Sequence, residues 1–138
     1  MQLRIMLDDG AFMPERAHPL DAGLDLKAPY SFTLYPGEHK DIDTGVHVEI
    51  PEGYVGLVTS KSGLMRDDGI KSEGTIDCSY RGSIHAILFN CSNKIKDFSV
   101  GMKITQLVIL PCACPDIKQV DRLTPTERGD KGFGSTGA

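Results

Sequence analysis

The chain has no apolar run near the roughly 18–20 residues that a membrane helix requires. Its opening, Met1-Gln-Leu-Arg-Ile-Met6, lacks the apolar core of a secretory leader. Together these two absences predict a cytoplasmic protein with no membrane partner. An excess of basic charge is also missing. The formal net charge is −4, so the surface does not attract nucleic acid or anionic lipid in bulk. Cysteine is sparse: Cys78, Cys91, Cys112 and Cys114. The single residue between Cys112 and Cys114 is too short for zinc spacing, and no cysteine–histidine cluster completes a site. Four free packing thiols are predicted. The histidines, His18, His39, His47 and His85, are scattered, and none adjoins a candidate nucleophile in sequence. Covalent catalysis by serine or cysteine has no visible support, and all four read as solvent-facing or strand-packed.

What is present fits one soluble domain. The 138 residues are 40% hydrophobic and 25% charged, enough for a single ordinary core. Val46, Val48 and Ile50 alternate with His47 and Glu49, the period of a strand with one buried face. Tyr35-Pro-Gly37 and Pro51-Glu-Gly53 read as turns on either side. Ile84–Phe89 and Ile104–Leu110 are more continuously apolar, as strands buried on both faces would be. Turn signals recur about every ten residues, the cadence of a β-sandwich or barrel. Ser62-Gly-Leu-Met-Arg-Asp-Asp-Gly69 is the exception, a two-turn helix with Ser62 as N-cap and Gly69 closing it.

The residues that could do chemistry fall into three groups. Asp25 lies among small and apolar residues, and Asp77 ends a β-branched run before Tyr80-Arg-Gly82. Aspartate is a poor strand residue. Each carboxylate is therefore either a turn-forming group or one held rigidly to orient water or a metal. Lys61-Ser62-Gly63 opens the short helix, where a hydroxyl and free N–H groups suit an anion as well as a cap. The final segment, Arg128-Gly-Asp-Lys-Gly-Phe-Gly-Ser-Thr-Gly-Ala138, crowds four glycines with two cations, two hydroxyls and one aromatic ring. Such a tail either frays or closes over a phosphate chain and a base, since glycines let successive N–H groups approach an anion. Ordering it costs on the order of 1–2 kcal/mol per residue, so only a highly charged ligand such as a nucleoside triphosphate would offset it.

Taken in order, the segments resemble the five motifs of the homotrimeric dUTPase family across essentially the whole chain. Ala22-Gly-Leu-Asp25-Leu-Lys-Ala28 is similar to the first, Ser60-Lys-Ser62-Gly-Leu64 to the second and Gly74-Thr-Ile-Asp77-Cys-Ser-Tyr80-Arg-Gly82 to the third. Gly101-Met-Lys-Ile-Thr-Gln106-Leu107 is similar to the fourth and Arg128–Gly137 to the fifth. The resemblance implies an all-β fold, a jelly-roll-like barrel or sandwich with one short helix. Residues 1–127 would form the β domain and 128–138 a flexible lid. It also implies a homotrimer with three shared sites, Mg²⁺, and hydrolysis of dUTP to dUMP and pyrophosphate. That reaction limits uracil incorporation into DNA and supplies dUMP for thymidylate synthesis.

By the same resemblance, Asp77 activates the attacking water, and Asp25 contributes to the metal through water, the phosphates holding it mainly. Tyr80 lies against the deoxyribose. Lys61, Ser62, Gly63 and Gln106 serve the phosphate chain, while Gly74 and Ile76 belong to the hairpin that reads uracil through its backbone. In the tail, Arg128 grips the γ-phosphate, Phe133 covers the base, and Lys131, Gly134, Ser135 and Thr136 complete the phosphate contacts. Lys61 stands where the family usually has arginine, and Met102-Lys103 replaces an Asp-Arg pair, a change expected at the surface. Two rival classes share the scaffold. A dCTP deaminase would carry Pro-Gly at the third motif and a glutamate base, for which Glu73 is the nearby candidate. A nucleotide-binding module that regulates a protein partner would not need catalysis.

Overall fold

The computed structural model describes residues 1–137. In chain order the elements are β1 (Arg4–Leu7), β2 (Gly23–Lys27), β3 (Phe32–Leu34), β4 (His39–Glu49), β5 (Tyr54–Thr59), α1 (Ser62–Asp68), β6 (Ile70–Ile76), β7 (Ser83–Asn90), β8 (Lys96–Phe98) and β9 (Lys103–Pro111). Seven strands form one antiparallel sheet in the order β1-β4-β7-β6-β5-β9-β2, and β3 pairs with β8 in a second, two-stranded sheet. The all-β expectation with one short helix therefore holds. No helix among the described residues is long and apolar enough to cross a membrane.

The large sheet curls so that its two ends share one interior. Leu24 and Leu26 of edge strand β2 pack in the same cluster as Val46 and Val48 of β4, with Val58, Ile76, Ile84 and Leu107 between them. Each such side chain contributes about 1.5–3 kcal/mol on full burial. A second cluster unites Ala28, Leu34, Ile42, Ile70, Ala86, Leu88 and Ile104 with Phe98, whose ring stacks on Phe32 at 4.7 Å. The small sheet thus closes the opposite end of the core. Gly56 lies where any side chain would collide with Ile50, Leu107 and Ile76, so its absence of a Cβ lets three strands close up.

Two expectations fail here for identifiable reasons. Neither β7 nor β9 is buried on both faces; in β9 Gln106, Val108 and Ile109 are half-buried and Leu110 is exposed. In β7, Ile84, Ala86, Leu88 and Asn90 point inward, whereas His85 and Phe89 are exposed and Ile87 is half-buried. The antiparallel sheet covers one side only, and a run of apolar residues does not report which side. In the helix, Ser62 is the first helical residue and Lys61 takes the cap position, with no side-chain cap bond. The end of α1 is as expected. Gly69 is left-handed (φ 65°), and its N–H donates to the Leu64 carbonyl. Beyond β9 the chain runs without helix or strand, and every side chain from Ala113 to Gly137 is exposed.

The turn predicted at Tyr35 forms, with the Glu38 N–H donating to the Tyr35 carbonyl; so does the one at Pro51, which accepts from Tyr54. All four cysteines are free thiols, as expected, but Cys91 and Cys114 are exposed rather than packed, and only Cys78 and Cys112 are half-buried.

Candidate active site

Two cavities collect Asp25, Lys61, Gln106, Gly74, Ile76, Asp77 and Tyr80, while the other predicted residues lie outside both. The first, of about 280 Å³, is walled by Asp21, Gly23, Asp25, Lys61 and Gln106, with Ala17, Ala22 and Val108. Its geometry follows from register. Asp25 on β2 faces Gln106 on β9, and Gln106 in turn pairs with Thr59 at the end of β5, so Ser60 and Lys61 enter directly above them. Gln106 Nε2 donates to the Ser60 carbonyl at 3.0 Å. A Cβ at Gly23 would fall 2.1 Å from Gln106 Oε1, so glycine there is what lets the amide lie along β2.

Asp25 is 2% exposed. Its Oδ1 accepts from Lys61 Nζ, and Lys103 Nζ lies 2.7 Å from Oδ2, close enough for an ion pair though not aligned as a hydrogen bond. Burial pushes the Asp25 carboxyl upward, but the bonds and charges of Lys103 and Lys61 outweigh that and hold it below its ordinary value. Lys103 is raised reciprocally, first by its close contact with the Asp25 carboxylate. Lys103 is therefore no bystander at the surface. Only the pairing of β2 with β9 brings it to Asp25, a contact that no local sequence pattern could signal. Lys103 itself is exposed, as expected, whereas Met102 is half-buried against the second core cluster.

The second cavity, about 300 Å³, contains Gly74, Ile76, Asp77 and Tyr80, together with Val58, Glu73, Thr75, Ser83, His85 and Ile87. Asp77 follows the last residue of β6 and is exposed. Its carbonyl accepts from the Tyr80 N–H, closing a tight turn. The Tyr80 hydroxyl donates to the Ser83 carbonyl at 3.0 Å, folding the ring back over Gly82. A Cβ on Gly82 would come within 2.2 Å of that hydroxyl. His85 also reaches this cavity. Its Nδ1 lies 2.6 Å from Asp41 Oδ1 on the neighbouring strand β4. His85 is solvent-facing, as expected, and its acidic neighbour, 44 positions away, leaves no local signal in the sequence.

The two cavities share no residue. Ser62 and Gly63 are exposed at the start of α1. Arg128, Lys131, Phe133, Gly134, Ser135 and Thr136 are exposed and line neither cavity. Arg128 Nε donates within the tail itself, to the Lys131 carbonyl at 3.0 Å. One chain therefore holds Asp77 and Tyr80 in one place, Asp25, Lys61 and Gln106 in a second, and the tail in a third.

Comparison with known proteins places this arrangement. The dUTPase family model matches residues 9–137. The deoxyuridine 5'-triphosphate nucleotidohydrolase of Clostridium tetani is 40% identical over 135 residues, covering 96% of this chain and 93% of the relative. That of Leifsonia xyli is 40% identical over 129 residues, covering 91% and 85%. Among solved structures, a variant of the Staphylococcus bacteriophage 80alpha dUTPase with dUpNHpp superposes with a TM-score of 0.88 at 34% identity, covering 99% of both chains. A variant dUTPase from phage phi11 of S. aureus, described for its coordination of a structural Mg(II) ion, gives 0.81 at 33% identity, covering 88% of this chain and 98% of that one. On this sequence match, spread along nearly its full length and joined to the same fold, the chain belongs to the dUTPase family.

Proposed function

We propose that the chain hydrolyses dUTP to dUMP and pyrophosphate in sites assembled between three copies of itself. The observation that carries the shared site is the separation of the two cavities. Asp77 and Tyr80 suit a nucleoside and its attacking water, while the lysines and Gln106 suit phosphates, yet no residue is common to both. A partner copy that sets its Lys61 cavity against the Asp77 cavity, with a third lending its tail, completes the constellation.

Asp77 accepts the proton of the water that attacks the α-phosphorus, and the bond to the bridging oxygen breaks to release pyrophosphate. Its exposure, and its having no ion-pair partner among the described residues, leave the carboxylate free to orient that water. Tyr80, pinned by Ser83 over Gly82, presents a fixed face to the deoxyribose. Gly74 and Ile76, on the strand leading to Asp77, offer backbone groups to uracil. Lys61, Ser62, Gly63 and Gln106 bind the phosphate chain. Arg128, Lys131, Gly134, Ser135 and Thr136 bind its terminal phosphates, and Phe133 covers the base as residues 128–138 close.

The residues fit Mg²⁺ only as an ion carried in with substrate. No cluster of three or more histidine, cysteine or acidic side chains forms among the described residues. Asp25 keeps one buried oxygen without an aligned hydrogen bond, a group able to accept from a metal-bound water. Bound there, Mg²⁺ would neutralise charge on the phosphate oxygens.

Pyrophosphate release measured with dUTP, UTP, dTTP and dCTP, with each product base identified, tests the reading. Release from dUTP alone is expected. Uracil formed from dCTP would shift the assignment to deamination, with Glu73 beside the ring. Tight dUTP binding with no turnover would make the chain a nucleotide-responsive module.

A further inference from the structure

We propose that His47 is a positioning residue for the Asp77–Ser83 turn, and that its imidazolium form clasps this turn so that nucleotide affinity falls when the ring loses its proton. The inference rests on the assignment of Asp77 and Tyr80 to the nucleotide site.

The geometry is a matter of donors and acceptors. His47 Nδ1 lies 2.8 Å from the Arg81 carbonyl oxygen, and Nε2 lies 3.0 Å from Asp8 Oδ1. Both partners are acceptors only. A neutral imidazole has one N–H, so it can satisfy one of them while turning a lone pair on the other. The imidazolium donates to both. The ring is positioned for this by the fold. The register of β4 against β7 shifts between Asp43 and His47, bringing His47 opposite Ser83 at the end of the turn. The Asp8 N–H donates to the Gly45 carbonyl at 2.9 Å, tying the segment after β1 to the same irregularity. The His47 side chain is 19% exposed, whereas its Asp8 partner is 54% exposed, so the ring itself is largely covered while the carboxylate stays in solvent.

The charges facing this ring come from every element around it. Asp8 follows β1, Asp43 lies on β4, and Arg81 belongs to the turn. Glu49 on β4 lies 3.7 Å from Arg81 and is paired with Arg4 of β1 at 2.8 Å. His85 on β7 lies 3.8 Å from Asp43, which is thereby shared between two histidines. The Arg81 carbonyl and Asp8 together raise His47 above its ordinary value.

The turn is otherwise held mostly from within. Tyr80 N–H donates to Asp77, the Tyr80 hydroxyl to Ser83, and Arg81 Nη1 to the Cys78 and Tyr80 carbonyls at 2.7 and 3.0 Å. His47 anchors this self-bonded unit to the sheet through Arg81, the residue next to Tyr80. A raised folded value means the clasp is complete below the ordinary histidine range, about pH 6.5, and is lost as pH rises through the folded value.

The test combines two readouts on the full-length protein. Histidine ring and backbone amide resonances are followed from about pH 5.5 to 9. KM and kcat for dUTP with saturating Mg²⁺ are measured over the same span for the wild type, His47→Gln and Asp8→Asn. The Arg81 and Gly82 amides are expected to move with the His47 ring, at a midpoint above its ordinary value. KM is expected to rise several-fold across that midpoint in the wild type with kcat little changed. In His47→Gln the KM step disappears, and in Asp8→Asn it moves to lower pH. The substrate's own titration is common to all three proteins and cancels. An unaltered KM profile in both variants would overturn the proposal, as would a His47 ring that titrates without the Arg81 amide. Absence of dUTP turnover at every pH, with the amide titration intact, would instead overturn the nucleotide assignment alone.

Discussion

Asp25 and Asp77 are the two carboxylates around which the cavities form, and they are built in opposite ways. Asp25 is buried in mid-strand with its charge committed to two lysines. Asp77 is exposed just past a strand end, and its side chain accepts no ion pair among the described residues. A buried charge must be compensated before folding tolerates it. A base that takes a proton from water must keep its lone pairs free. On the assignment proposed here, the electrostatic role falls to the strand interior and the reactive role to a turn.

That contrast can be broken at either end. The largest effect is expected from Asp77→Asn, which should lower kcat by about 10²–10⁴-fold, the usual worth of a positioned base. Binding of dUTP and the melting temperature should stay near wild type. Near-normal turnover would remove Asp77 from its role. Truncation after Glu127 comes next. Because the tail makes no contact with either cavity here, the shortened chain should melt as the wild type does while losing most of its activity. A drop in melting temperature would mean the tail belongs to the core.

Asp25→Asn inverts the pattern, with stability the main loss. It leaves Lys61 and Lys103 without their shared counter-ion and should cost on the order of 1–3 kcal/mol, given that both lysines are partly solvated. The sign with pH follows. Asp25 is lowered in the folded state, so its contribution is present above the ordinary aspartate value of 3.8 and is lost as pH falls through the lower folded value. Acid melting of wild type and Asn variant should converge at low pH. The smallest change is expected from Lys61→Arg, where a bidentate fork replaces a point charge. KM for dUTP should fall modestly, with kcat nearly constant, read by steady-state kinetics.

Much of this was legible in the residues themselves. Alternation at Val46–Ile50 located β4, and Gly69 located the end of α1, because both signals are local. The motif order pointed to the family and to the residues lining both cavities. What stayed hidden was non-local. The open outer face of β7 was masked by an apolar run, since Ile87 and Phe89 lie on the side that a single sheet leaves uncovered. Lys103 looked dispensable until β2 paired with β9. His47 and His85 looked idle because their acidic partners lie 39 and 44 positions away.

Tyr80 and Gly82 also set a rule for sequence drift. The ring occupies the volume a side chain at 82 would need, so the two positions are a single unit of inheritance. A lineage that enlarges residue 82 must move or lose the aromatic ring at 80, and with it the fixed face proposed for the deoxyribose. Substitutions at these positions are therefore expected in pairs, and a descendant with a bulky residue at 82 marks a site whose aromatic face has moved.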